Sequence, residues 1–140
     1  MDLRELEKLT TNLSKEISFG DVYLFQGELG VGKTTFVRLL INNLYELNNL
    51  PKPVSIISPT YPILITYELS SLQIYHYDLY RVKNLMELEE LDFFENLNNN
   101  ITFIEWPEML INLPLNKKHY LINLDMISET KRKINISFNQ

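Results

Sequence analysis

The chain has 140 residues, 45% hydrophobic and 22% charged, which are ordinary globular values and exclude overall disorder. Its formal net charge of −5 argues against a broad basic face gripping a long nucleic acid, while leaving room for a small basic site or a nucleic acid held by a partner. With no cysteine there is no disulfide framework, thiolate nucleophile or cysteine-based zinc site, and His76 and His119 stand too far apart for the usual histidine-ligand spacings.

In chain order, Asp2 and Glu5 match a capping-box spacing, and Leu3, Leu6, Leu9, Leu13 and Ile17 then fall on one helical stripe that Gly20 can end. Val22-Tyr23-Leu24-Phe25 is a short continuous apolar run, the pattern of a strand buried on both faces. After a glycine-rich loop, Phe36, Leu40 and Leu44 recur at four-residue steps, and Asn48-Asn49 with Pro51 and Pro53 stop this second helix. Apolar runs at Ile63–Leu69 and Leu72–Tyr77 flank Ser70-Ser71 and predict an antiparallel hairpin. One further helix is predicted over Leu85–Leu97, with Glu87, Glu89 and Glu90 on its wet face. Strands are predicted at Ile101–Ile104, Tyr120–Leu124 and Ile134–Phe138. The order strand, glycine loop, helix, further strands predicts an α/β layer structure, with residues 1–140 forming one domain. No apolar run approaches the length of about 18 residues that suggests a membrane span, and the acidic start lacks the basic flank of a signal peptide, so a cytoplasmic protein is expected.

The strongest chemical signal is Gly27-x-x-x-x-Gly32-Lys33-Thr34, a complete Walker A phosphate loop between a buried strand and a helix. Its glycines let successive amides turn inward toward phosphate oxygens, and the helix that follows adds partial positive charge at the same spot. On this pattern Leu29, Gly30, Val31, Gly32, Lys33, Thr34 and Thr35 are the nucleotide-binding candidates, with Lys33 on the phosphates and the Thr34 hydroxyl on Mg²⁺. No Asn-Lys-x-Asp guanine-reading motif is present, which favours ATP/ADP over guanine nucleotides.

A phosphate-loop enzyme also needs an acid for Mg²⁺ or its waters. Two apolar runs end in one, at Asp78 and Glu105, where the carboxylate falls at the C-terminal edge of a strand. A lone acid in such a place is usually a solvated turn, and the glycine loop is what gives these two a role. His76, two residues before Asp78 and on the same strand face, reads as a structural histidine. Tyr80 and Trp106 flank the acids and fit either a packing role or contact with a nucleotide or partner.

The blocks Gly27–Phe36, Ser58-Pro59-Thr60-Tyr61, His76-Tyr77-Asp78-Leu79-Tyr80-Arg81 and Glu105-Trp106-Pro107-Glu108, in this order, resemble the small bacterial ATPases of tRNA threonylcarbamoyladenosine synthesis, the TsaE (YjeE) type. The resemblance implies a P-loop NTPase-like three-layer sandwich with a mixed, mainly parallel central sheet. It also implies slow Mg²⁺-dependent ATP hydrolysis that supports modification of the adenosine next to the anticodon in tRNAs reading codons that begin with A. The implied partners are TsaB and TsaD, with tRNA met only through that complex and no membrane involved. By similarity, Thr34 and Glu105 hold Mg²⁺, Asp78 serves hydrolysis together with Glu105, and Ser58 and Thr60 belong to a switch-like loop near the γ-phosphate. Tyr80 and Trp106 are candidates for the partner surface. The chain departs from the family at Leu6, where several members carry a polar residue facing the adenine end, at Val31 in place of a common alanine, and at Pro62 in place of Thr. Thr130-Lys131-Arg132-Lys133 reads as an exposed basic turn, with reach to the nucleotide as its alternative. Two other classes fit the loop: a free-standing small-molecule kinase, which this chain's lack of an arginine-rich lid disfavours, and a nucleotide-sensing module without hydrolysis, which the paired acids disfavour.

Overall fold

Asp2 caps the first helix as its spacing predicts: its carboxylate accepts the Glu5 amide at 2.9 Å while the Glu5 carboxylate accepts the Asp2 amide at 3.3 Å. The computed structural model describes residues 1–111, 115 and 118–139. Helix α1 spans Leu3–Ser14 and buries Leu6 and Leu13; Leu3, at its start, is exposed rather than part of the buried stripe. Strand β1 (Val22–Gln26) runs into the glycine loop, and α2 (Lys33–Leu47) follows, burying Phe36, Val37, Leu40, Ile41 and Leu44. The hairpin forms as β2 (Leu64–Leu69) and β3 (Leu72–Asp78).

The helix predicted over Leu85–Leu97 is broken into α3 (Leu85–Glu90) and α4 (Phe93–Asn96). Asp92 between them sits at φ +54, a left-handed conformation that stops the first helix and re-aims the second. Leu88 and Phe93 become the buried anchors of two short turns instead of one continuous face. Strand β4 (Ile101–Glu105) follows, then a 3₁₀ turn at Glu108–Leu110, and β5 (His119–Met126) and β6 (Arg132–Asn139) close the chain.

The six strands form one sheet in the order β2-β3-β4-β1-β5-β6. β1 is parallel to both β4 and β5, and β3 is parallel to β4, while β2 and β6 pair antiparallel at the two edges. This is the expected mixed, mainly parallel sheet. Alternation along the strands divides two cores. Tyr23, Phe25, Ile74, Phe103, Ile122 and Leu124 face α1 and α2. Val22, Leu24, Tyr77 and Ile104 face Leu88, Phe93, Leu97 and Leu110 on the opposite side. No helix among the described residues is long and apolar enough to cross a membrane.

Burial pushes the Tyr77 phenol up to about 12, and burial beside Asp21 also raises that of Tyr23. An unfolded phenol ionises near 10, so between the two values the folded protein holds protons that the unfolded chain has lost. Stability should therefore be complete below about pH 10 and fall as pH rises through about 12. Urea midpoints at about pH 8 and about pH 11 should show the loss, and Tyr77→Phe should reduce it.

Candidate functional site

The glycine loop is built for close approach. A Cβ on Gly27 would lie 2.7 Å from the Leu124 carbonyl oxygen and 2.7 Å from Cγ1 of Val31, so the wider valine of this loop is accommodated only beside glycine. Gly32 caps α2 at φ +111, where an L side chain is strained. It offers no side-chain acceptor to the amides of the first turn, which leaves this helix end suited to an anion.

Lys33, buried at the first position of α2, donates from Nζ to the carbonyls of Gly27 and Glu28 and lies 3.8 Å above the Trp106 ring centroid. Burial lowers its pKa below the ordinary lysine value, against the pull of Glu105, Glu108 and Asp78. A desolvated cation held by carbonyl dipoles and an aromatic face is ready to exchange those partners for phosphate oxygens.

Parallel pairing brings the two acids together. Glu105 is in register with Phe25 of β1 on one side and with Asp78 of β3 on the other, so all three lie in one row at the strand ends. Both carboxylates are buried and face the α2 side of the sheet. Oε1 of Glu105 accepts the Thr34 hydroxyl at 2.8 Å, and Oε2 lies 2.6 Å from Nε2 of His76. Oδ2 of Asp78 accepts Thr60 Oγ1 at 2.8 Å and Ser58 Oγ at 3.3 Å, and Oδ1 accepts the Tyr80 amide at 2.9 Å. The Ser58–Thr60 loop thus rests on Asp78. A cavity of about 240 Å³ opens between these groups, lined by Gly30, Lys33, Thr34, Thr60, Asp78 and Glu105.

On the other flank of the loop lies a cleft of about 560 Å³, with Leu3, Leu6, Val31, Leu124, Arg132 and Ile134 in its walls. Arg132 corrects the reading of its segment as an exposed basic turn: its side chain is half-buried and its Nε donates to the Val31 carbonyl at 2.7 Å. The Met1 amine and carbonyl pair with the Arg132 backbone at 2.7 and 2.8 Å, which ties the start of α1 to β6. Lys131 and Lys133 remain exposed. Arg4 also lines this cleft, while Arg38 and Arg81 are engaged elsewhere, on the carbonyls of Ile56 and Tyr61.

Leu29 and Tyr80 stand exposed at the rim, Trp106 is half-buried, and the Tyr80 and Trp106 rings are 4.8 Å apart. Trp106 adopts φ +56, which turns its ring back over Lys33. Sequence reasoning missed the contacts that His76 and Arg132 make. The two-residue offset placed His76 on the face of Asp78 but carried no sign of its contact with Glu105, 29 positions away, and the reach of Arg132 to a carbonyl 101 positions away left none either.

The family described as "Threonylcarbamoyl adenosine biosynthesis protein TsaE" matches residues 1–134. A tRNA threonylcarbamoyladenosine biosynthesis protein TsaE of Rickettsia felis is 41% identical over 135 residues, covering 96% of this chain and 75% of its own length. The protein of the same description from Aquifex aeolicus is 30% identical over 129 residues, covering 92% and 86%. Among solved structures, Bacillus subtilis YdiB superposes with a TM-score of 0.63 at 24% identity, covering 96% of this chain and 78% of that one, a likeness of fold.

Gly32→Ala should cost about 1–2 kcal/mol of stability through its left-handed backbone. Chemical denaturation of the two proteins checks this, and an unchanged midpoint would contradict the loop geometry.

Proposed function

The chain belongs to the TsaE family of tRNA threonylcarbamoyladenosine biosynthesis proteins, and on that premise we propose that it binds ATP and hydrolyses it slowly as the nucleotide-driven subunit of that modification. The observation that carries this reading is the convergence of Lys33, Thr34, Asp78 and Glu105 on one cavity at the N-terminus of α2. Phosphates would be held by Lys33 and by the amides from Leu29 to Thr35. The apolar cleft beside Val31, with Arg132 in its wall, suits the base and sugar, and Leu6 there offers packing rather than a hydrogen bond.

Mg²⁺ fits the donor set. Thr34 Oγ1 and Glu105 Oε1 are hard oxygen donors 2.8 Å apart, and no group of three His, Asp or Glu gathers among the described residues. That suits a cation that takes its other ligands from phosphate and water rather than an all-protein cage. When bound, Mg²⁺ would neutralise charge on the phosphates. Asp78, already an acceptor for two hydroxyls, would orient the attacking water once the Ser58–Thr60 loop shifts.

Partners supply what the chain's own arginines do not. Arg38 and Arg81 are committed to backbone carbonyls, Arg4 and Arg132 line the neighbouring cleft, and none of the four lines the cavity that holds Lys33 and the acids. A TsaB–TsaD pair that closes the site or contributes a cation would raise turnover, and Leu29, Tyr61, Tyr80 and Trp106 form the rim it would meet. The tRNA is reached through that pair, and the protein works in the cytoplasm.

Lys33→Ala should bind ATP about a hundredfold more weakly and still melt as a folded protein, since the lost amine belongs to the lining of the cavity rather than to either apolar core. Calorimetric titration and thermal melts read the two effects separately.

Asp78→Ala and Glu105→Ala should cut ATP turnover by about a hundredfold or more while affecting nucleotide affinity far less. The same assay, run with and without TsaB and TsaD and paired with ATP-dependent co-elution, tests the partnership. Fast turnover by the chain alone, with no response to the pair and no co-elution, would favour the kinase reading.

A further inference from the structure

His76 is fully buried in the middle of the sheet, and its Nδ1 is without a hydrogen-bond partner. An orphan ring nitrogen in a core is costly, and an apolar side chain of the same volume would fill the space without that cost. What the ring does have is a short bond, 2.6 Å from Nε2 to Oε2 of Glu105. Strand register sets up this contact: His76 pairs with Phe103 and Asp78 pairs with Glu105, so the imidazole sits diagonally below the Glu105 carboxylate on the same face.

The Glu105 carboxylate needs such a holder. Its terminal torsion is a broad, two-fold one that the strand backbone does not set. Asp78 stands directly opposite, and two carboxylates in one register pair repel. The two are kept apart by separate hydrogen-bond partners, Ser58, Thr60 and the Tyr80 amide for Asp78, and Thr34 and His76 for Glu105.

We infer that His76 is a positioning residue. Its Nε2–H holds Oε2 of Glu105 and so aims Oε1 at the Thr34 hydroxyl, forming the oxygen pair assigned above to the divalent cation. This rests on the nucleotide-binding reading of the site and adds to it the group that orients the acid. The arrangement follows a general rule for metal sites, in which a group one shell out fixes the ligand's orientation and its loss weakens metal affinity about tenfold to a hundredfold.

The test compares His76→Leu, which keeps the volume and removes the donor, with His76→Gln, whose amide can donate from about the place of Nε2. The readout is the Mg²⁺ concentration that half-maximally tightens ADP binding, followed by calorimetry, alongside steady-state ATP turnover. His76→Leu should raise that Mg²⁺ requirement by about tenfold or more and lower kcat with little change in KM, while ADP binding without Mg²⁺ stays near the parent value. His76→Gln should restore most of both. A folded His76→Leu protein with parental Mg²⁺ dependence and turnover overturns the inference and leaves the nucleotide reading standing. Equal losses in both variants, matched by equal drops in melting temperature, assign His76 to packing and also overturn it. A parent protein whose nucleotide binding does not respond to Mg²⁺ overturns the functional reading itself, and the inference with it. Should His76→Leu fail to fold, nitrogen-edited spectra of the parent decide: an exchange-protected hydrogen on Nε2 supports the inference, and a ring carrying its hydrogen on Nδ1 alone overturns it.

Discussion

Everything at the candidate site depends on the strand register that places Phe25, Glu105 and Asp78 in one row across β1, β4 and β3. Side chains alternate faces along a strand, so a slip of one residue in β4 would turn Glu105 away from α2 and bring Ile104 into its place. The register is held by burial on both faces. Phe103 packs under α2 while Ile104 packs against the opposite layer, and neither can leave its side without exposing a large apolar surface. The hydrophobic cores therefore act on the chemistry indirectly, by fixing which carboxylates meet.

Around that row the polar groups form a connected set rather than isolated charges. Thr34, Glu105 and His76 link the helix start to two strands, and Ser58, Thr60 and Asp78 link a loop to the same edge. Buried carboxylates are tolerated because each oxygen has a hydrogen-bond partner. Lys33 is balanced differently, by two backbone carbonyls and the Trp106 face. Its lowered pKa shows that burial outweighs the nearby acids there. That imbalance favours an incoming anion, because the hydrogen-bond partners of Lys33 are only dipoles and phosphate would compensate its charge.

The two flanks of the glycine loop have different characters. One opens on hydroxyls and carboxylates, the other on a mainly apolar cleft walled by α1, β5 and β6 whose lining also carries Asp2, Arg4, Glu129 and Arg132. A polar, charged end and an apolar end side by side match the two halves of a nucleotide. The contact between Arg132 and the Val31 carbonyl makes the wall of the cleft continuous with the loop. Leu29, Tyr61 and Tyr80 are large apolar groups left exposed around the charged half, an arrangement that favours a protein partner there.

Local sequence determined the parts whose physics is local. The capping box at Asp2, the buried run at β1, the glycine loop with Lys33 and Thr34, and the hairpin around Ser70-Ser71 follow from spacing and backbone preference within a few residues. The two acids were legible as strand ends once the loop was seen. The break at Asp92 was not, because periodicity over Leu85–Leu97 fits one helix and only packing of Leu88 and Phe93 against the sheet favours two. Nor was the bond between His76 and Glu105, 29 positions apart, or the reach of Arg132 to Val31 across 101. Such contacts depend on strand order and register, which are set by the cooperative burial of many side chains and leave no mark in any short stretch of chain.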